Sequence, residues 1–316
     1  MRFDIRNREA LYEVPPETDK FAWEQYLNDQ KDAESFKRVP DVPVQIDFEL
    51  NGSCNMRCPF CIHGNGGGRI KSNLSLDVYK KLIDEAVSLG TKSVKLNYIN
   101  EPLLRTDLEE AIQYARLKGI LNIYFVTNGL LLNKERRDSL LKSGVTKIGI
   151  SIDASSSETY NKQRKNGYYD EIIENVRNLV QERNLLGQEF PKIRVSFLKN
   201  KLNEHEEDAF AKLWTDVADI ITFQKMNEVP EIDTGLTLPD NIKPPPCSFP
   251  NKLLVVDSEG DILPCCTLYG KELVIGNISN MSLEEAWNSF AMKRLREAHA
   301  NDTWEKIESC RRCLCQ

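Results

Sequence analysis

From Val44 onward the chain alternates short apolar runs with longer stretches whose apolar residues recur at helical spacing. The runs at Val44–Leu50, Ser93–Tyr98, Asn122–Val126, Lys147–Ile152, Lys192–Leu198 and Asp219–Gln224 read as strands. Between the first two, Val78, Leu82, Ile83, Ala86 and Val87 fall on one face of a helix spanning Leu76 to Leu89. Ser75 is placed to cap its start and Gly90 to stop it. Ile172, Ile173, Val176, Leu179 and Val180 repeat the pattern as far as Gly187, and further helices are expected near 107–118, 133–143 and 204–218. Such a strand-helix alternation predicts an α/β fold with a parallel sheet, a partial (β/α)6 TIM-like barrel where a full one has eight units. Functional side chains are then expected at the C-terminal edge of the sheet, where strands end and loops begin.

The flanks have a different texture. Residues 1–43 are charged and broken by Val14-Pro15-Pro16 and Val39-Pro40, which reads as an irregular or partly helical extension, too short to be a domain. Residues 44–229 carry the barrel, and 230–246, with Lys243-Pro-Pro-Pro246, read as a linker. In 247–316 the turn residues Asp257-Ser-Glu-Gly260 separate Leu253–Val256 from Ile262–Leu263, the signal of a β-hairpin, and a helix is expected from Ser282 to His299. This region is predicted to be a small hairpin-plus-helix domain.

Composition sets outer bounds. Of 316 residues, 41% are apolar and 28% charged, as in ordinary globular chains. No run approaches the roughly 18 apolar residues of a membrane span, and the N-terminus lacks a secretory apolar region, so a cytoplasmic location is expected. A net charge of -6 argues against a broad nucleic-acid-binding face. Nine cysteines in a reducing compartment are better explained as metal ligands than as disulfides. Three lie between Cys54 and Cys61, none from 62 to 246, and six from Cys247 to Cys315, which points to two metal sites.

Cys54, Cys58 and Cys61 form C-x3-C-x2-C at the end of the first predicted strand. Three thiolates from one loop suit three irons of a [4Fe-4S] cluster and leave the fourth iron without a protein ligand, open to substrate. Zinc is the alternative, with His63 as a nearby fourth ligand at a spacing tighter than the usual zinc patterns.

The loop resembles that of the radical S-adenosylmethionine (SAM) enzymes, C-x3-C-x-aromatic-C, Phe60 included, and the resemblance runs over roughly residues 44–225. Asn100-Glu101-Pro102 resembles the family's Gly-Gly-Glu-Pro segment that binds the SAM amino group, with Ile99 and Asn100 in place of the glycines. Ser151-Ile-Asp153 resembles the ribose-binding segment, in which a carboxylate accepts from hydroxyls. Arg164 stands where a guanidinium in related enzymes reaches the SAM carboxylate. Thr127-Asn128-Gly129 is similar to a third strand-end segment, though Asn-Gly there is also an ordinary turn.

Near the C-terminus, Cys247 and Cys265 frame Gly260 as C-x12-G-x4-C, and Cys310 and Cys313 form C-x2-C. Four thiolates suit iron-sulfur or zinc equally. The arrangement resembles the twitch or SPASM extension of radical SAM enzymes. That resemblance implies one auxiliary [4Fe-4S] cluster on Cys247, Cys265, Cys310 and Cys313, an electron relay or a structural staple. Cys266 and Cys315 are left over, each an alternative ligand, a structural thiol or a hydrogen-atom donor, with Cys266 the candidate donor for an epimerisation.

The family resemblance implies reductive cleavage of SAM to a 5'-deoxyadenosyl radical, fed by an external one-electron donor of flavodoxin or ferredoxin type. The radical would take hydrogen from a C–H bond of the substrate. The auxiliary cluster favours oxidation. The short N-terminal extension leaves no room for a separate peptide-recognition domain, so a sugar, aminocyclitol or similar small polar substrate is expected, and a peptide is the alternative. Glu228 is a loop carboxylate near the predicted barrel mouth. From another class, a non-catalytic iron-sulfur electron carrier would have no use for Glu101, Ser151, Asp153 and Arg164.

Overall fold

The structure, a computed structural model, describes residues 3–65, 72–165, 168–227, 232, 234–238 and 243–315; Glu228 and part of the expected linker lie outside these. Among the described residues ten strands form one sheet: β1 Phe3–Arg6, β2 Gln45–Phe48, β3 Ser93–Lys95, β4 Asn122–Thr127, β5 Lys147–Ser151, β6 Lys192–Lys199, β7 Ile220–Lys225, β8 Leu253–Val256, β9 Asp261–Leu263 and β10 Gly276–Asn277. Their order is β1-β7-β6-β5-β4-β3-β2-β8-β9-β10. Strands β2 to β7 pair in parallel and are the six expected from the sequence.

The helices are α1 Lys20–Glu34, α2 Leu76–Leu89, α3 Leu108–Leu117, α4 Lys134–Leu140, α5 Ser157–Arg164, α6 Tyr169–Leu185, α7 Glu207–Trp214, the single turn α8 Phe249–Lys252, α9 Leu283–Trp287, α10 Phe290–Ala300 and α11 Glu308–Leu314. Helix α2 has the caps its sequence implies: the Ser75 side chain accepts from Val78 N, and Gly90 closes the helix at φ 103°. The helix expected from Ser282 to His299 is two, because Ser289 accepts from Met292 N and starts a new one.

One face of the parallel strands is apolar and lies under the helices. Ile46, Phe48, Ile148, Ile150, Ile193, Val195 and Phe197 are fully buried there with Ile83 of α2, and Leu82 of that helix is nearly so. Burial of each such side chain contributes about 1.5–3 kcal/mol. The alternate positions, on the lumen side, are polar: Asp47, Lys95, Tyr124, Lys147 and Lys192 follow one another in register across β2 to β6.

Both flanks extend the sheet. The N-terminal β1 lies antiparallel on β7, and α1 buries Trp23, Tyr26 and Ala33. At the other end β8 pairs in parallel with β2, and β9 and β10 follow antiparallel. The cysteine-rich C-terminal region is therefore fastened beside the strand from which the first cysteine loop departs. Among the described residues, no helix is long and apolar enough to cross a membrane.

Candidate functional site

The loop that leaves β2 turns tightly on itself. Cys61 N donates to Cys58 O (3.0 Å) and Gly64 N to Cys61 O (2.9 Å). A Cβ on Gly64 would stand 2.0 Å from Cys58 O, so the turn admits only glycine. Cys58 is buried, and Cys54 and Cys61 are partly so. Burial pushes Cys54 up to about 11, helped by the Glu101 carboxylate, and raises Cys58 and Cys61 against the pull of Arg164. Iron has to displace these thiol protons on binding.

The strand-end segments close around this loop. Glu101, 2% exposed, accepts from Leu103 N (3.0 Å), Thr127 Oγ1 (2.6 Å) and Asn128 N (2.8 Å), and so ties the ends of β3 and β4 together. Burial raises its pKa against those bonds. Asn100 has its amide engaged at both ends, donating to Asn51 Oδ1 (2.8 Å) and accepting from Tyr98 N (3.0 Å). Asn128 donates to Asn55 Oδ1 (2.7 Å), which anchors the Thr127-Asn128-Gly129 turn to the cysteine loop.

After β5, Asp153 is held at φ 65°, a conformation rare for a side-chain-bearing residue. Its contacts fix it there: Oδ1 accepts from Leu198 N (2.8 Å), its carbonyl accepts from Asn203 Nδ2 (2.9 Å), and Oδ2 pairs with Arg164. Arg164 Nη1 lies 4.0 Å from Cys58 Sγ, and the guanidinium carbon 5.9 Å from the Phe60 ring centre. Ser151 Oγ is 3.4 Å from Ser196 Oγ. Cys54, Cys58, Cys61, Phe60, Asp153 and Arg164 thus belong to one constellation, with Glu101 and Asn100 fastening its backbone.

Arg164 is delivered by α5, an octapeptide too polar to be recognised as a helix from periodicity. It forms because Ser156 caps it and the Glu206 carboxylate accepts from Ser155 N (2.6 Å) and Thr159 Oγ1 (2.7 Å) at its positive end. The same helix brings Tyr160 beside Cys58, a residue sequence reasoning missed; its spacing of four from Arg164 was the available signal.

Two observations test whether a cluster and SAM fit here. Arg164 Nε and Tyr160 Oη are buried donors without a partner among the described residues, as expected where a ligand supplies acceptors. In addition, the sole trio of ligand atoms within 4.8 Å of one another among the described residues is Asp257, Glu259 and Asp261, so no three cysteine sulfurs approach that closely. One zinc ion with bonds of about 2.3 Å would hold its sulfurs about 3.8 Å apart. His63, the other zinc candidate, instead has Nε2 3.0 Å from Ile99 O.

The second group assembles from three stretches of chain. Cys247, Cys265, Cys310 and Cys313 line one cavity together with Thr267 and His299. Burial, with the other thiols nearby, pushes Cys265 and Cys310 up to about 12 and Cys247 to about 11. Thr267 Oγ1 lies 3.6 Å from Cys265 Sγ and 3.8 Å from Cys313 Sγ. His299, which the sequence left unassigned, accepts from Cys247 N through Nδ1 (3.1 Å), and burial lowers it to about 4, so it stays neutral. Gly260, the glycine of the spacing motif, turns at φ 85°. Cys315 is exposed and not among the cavity's lining residues. Cys266 packs with Tyr98, Leu253, Val255 and Leu263, on the lumen side near Lys95 and Asp47.

A strand-end cysteine loop with unpaired donors around it, backed by a four-cysteine cavity on an extension of the same sheet, defines a SAM-dependent iron-sulfur protein of the radical type. Residues 48–185 match the family model of the radical SAM superfamily and residues 247–314 that of an iron-sulfur cluster-binding domain, SPASM; the chain belongs to the radical SAM superfamily. It is 28% identical over 184 residues to mycofactocin maturase MftC of Mycolicibacterium smegmatis, covering 57% of this chain and 44% of that one. It is 29% identical over 166 residues to GTP 3',8-cyclase of Thermodesulfovibrio yellowstonii, covering 51% and 49%. The chain thus spans less than half the length of these curated relatives. Similar solved structures include BtrN in complex with AdoMet and 2-DOIA (TM-score 0.58, 18% identity, 86% of this chain and 93% of that one). Another is Streptococcus suis SuiB bound to precursor peptide SuiA (TM-score 0.59, 16%, 87% and 70%). At these identities the likeness is one of fold.

Proposed function

We propose that this chain reductively cleaves SAM and oxidises a small polar substrate, sugar-like or aminocyclitol-like, at a C–H bond. When bound, the cluster on Cys54, Cys58 and Cys61 supplies the electron, and SAM supplies the 5'-deoxyadenosyl radical that takes the hydrogen. The chain's residues orient and shield: Arg164 offers Nε to a carboxylate, Asp153 and Ser151 offer acceptors to hydroxyls, and the lumen receives the substrate.

One observation carries the oxidative reading: the segment Tyr98–Glu101 touches both cysteine sites. Glu101 N donates to Ser53 O (2.9 Å), next to Cys54, while Tyr98 Oη donates to Thr267 O (2.5 Å), two residues past Cys265. A substrate radical at the barrel mouth would then have an iron-sulfur cluster held by Cys247, Cys265, Cys310 and Cys313 as acceptor for the electron it must lose, while its proton leaves to solvent. The test is anaerobic reconstitution, reduction with dithionite and addition of SAM. Formation of 5'-deoxyadenosine is expected; its absence with the clusters intact would leave an electron carrier as the better reading.

A second outcome, epimerisation, is favoured by the position of Cys266 on the lumen side, where a thiol can return hydrogen to a substrate carbon. In D2O an epimerised product gains one deuterium at that carbon and an oxidised one gains none. The likeness to MftC and to SuiB with its precursor peptide supports a peptide as the alternative substrate.

A further inference from the structure

The lumen holds cations that its own carboxylates do not balance. Lys95 is matched by Asp47 (2.9 Å) and Lys192 by Glu13. Lys147 on β5 and Arg194 on β6 have no ion pair among the described residues, and Arg194 Nε is buried without a hydrogen-bond partner. The Arg194 guanidinium lies on the backbone of β5. A Cβ at its register partner Gly149 would stand 2.9 Å from Nη2 and 3.3 Å from Nε, so the missing side chain is the space the guanidinium fills. Lys147, two residues before Gly149, holds Nζ 4.4 Å from the centre of the Tyr124 ring. Burial and the nearby Arg194 both disfavour its charge. Two like charges gathered under cover are costly unless an anion completes the set.

We propose that Arg194 and Lys147 form a seat for an anionic group of the substrate, a carboxylate or a phosphate monoester, inside the barrel lumen. The inference rests on the radical SAM reading and narrows its substrate class. Arginine's fork suits either oxyanion. Ser151 and Ser196, themselves register partners, stand one layer nearer the strand ends, about 7 Å further along the barrel. An anion on Arg194 therefore places the carbons a few bonds away at the level of those hydroxyls, toward the cysteine loop. The same charges select against a cationic aminocyclitol and in favour of a sugar acid, a sugar phosphate or another small acid.

The experiment uses the full chain, reconstituted anaerobically, and titrates it with inorganic phosphate, with acetate and with chloride at matched ionic strength, reading heat of binding and the unfolding midpoint. Phosphate or acetate is expected to bind and raise the midpoint where chloride does not. Arg194→Gln is expected to weaken that binding about tenfold or more, with Lys147→Met weaker than wild type too. Arg194→Lys, which keeps the charge without the fork, is expected between wild type and Arg194→Gln, and serves if the glutamine variant fails to fold. Tighter phosphate binding assigns a phosphate monoester, and tighter acetate binding a carboxylate. Equal response to chloride, or unchanged oxyanion binding in the Arg194 variants, overturns the seat. In the same wild-type preparation, 5'-deoxyadenosine formation without any oxyanion response overturns the seat alone, whereas oxyanion binding without cleavage overturns the radical reading and leaves the seat.

Discussion

The two cysteine sites are built by opposite means. The first takes its three thiols from eight consecutive residues, and the groups around it include donors with no partner among the described residues, Arg164 Nε and Tyr160 Oη. The second collects four thiols from positions 247, 265, 310 and 313, and the polar groups that hold it bond one another, Cys247 N to His299 Nδ1 and Tyr98 Oη to Thr267 O. A site that leaves donors unpaired is shaped for something not in the chain; a site that pairs them is shaped to hold the chain itself. On the proposed function the first is therefore the place of chemistry, and the second a fastening beside it that would also take an electron.

The largest expected effects separate these roles. Gly64→Ala puts a methyl group against the Cys58 carbonyl, so the loop cannot close; 5'-deoxyadenosine formation is expected to fall to background and iron from about eight to about four per chain. Cys313→Ala is expected to lose a similar amount of iron while SAM cleavage persists. Its unfolding midpoint should drop by roughly 5 °C or more, since iron no longer ties α11 to Cys247 and Cys265. If both variants abolish cleavage, the contrast between the sites fails. Next in size is Arg164→Lys, which keeps a charge near Asp153 but loses the fork. The expected result is a KM for SAM raised about tenfold, the equivalent of one charge-assisted hydrogen bond, with iron content unchanged.

The same contrast explains what could be read from the sequence. The six parallel strands and α2 were legible because each is announced by a local run of apolar residues, and the first cysteine loop because its ligands are neighbours in the chain. Helix α5 was not, since its residues are polar and it depends on Glu206, far along the chain, to hold its first turn. Strand β1 has no local signal either: it pairs with β7, more than two hundred residues later. Tyr160 was lost with α5, and His299 because its role is to accept from the backbone of Cys247, a contact between distant segments. The lumen charges stood in plain sight in the strands, but only the register shows that Lys147, opposite Lys192, and Arg194, opposite Gly149, lie on the same face of neighbouring strands.

The smallest expected effect sharpens the idea that the lumen, unlike the four-cysteine cavity, is left electrostatically incomplete. Burial and Arg194 lower Lys147 to about 7 in the folded chain, against 10.5 for an ordinary lysine. The groups on its face of the sheet are Asp47 on β2, Lys95 on β3, Tyr124 on β4, and Arg194 and Lys192 on β6; Arg8, Tyr26 and the paired Glu34 and Lys252 line the cavity it borders, and Glu13, paired with Lys192, lies on its other side. Lys95, which burial pulls down and Asp47 more than restores, and Tyr124, raised by burial, are shifted upward, away from neutral pH. Between about pH 7 and 10 the unfolded chain keeps a proton on Lys147 that the folded chain has lost. Stability therefore rises with pH through this window, by at most about 1.4 kcal/mol per unit from this group, and the strain of the buried charge is fully present below it. Denaturant unfolding of wild type and Lys147→Met at pH 7, 8 and 9 isolates the contribution: the variant is expected to be the more stable at pH 7, with the gap closing as pH rises. A gap that stays constant would mean that Lys147 carries no frustrated charge. Added phosphate or acetate is expected to shrink the gap at pH 7 from the other side, by supplying the counter-charge that the barrel lacks.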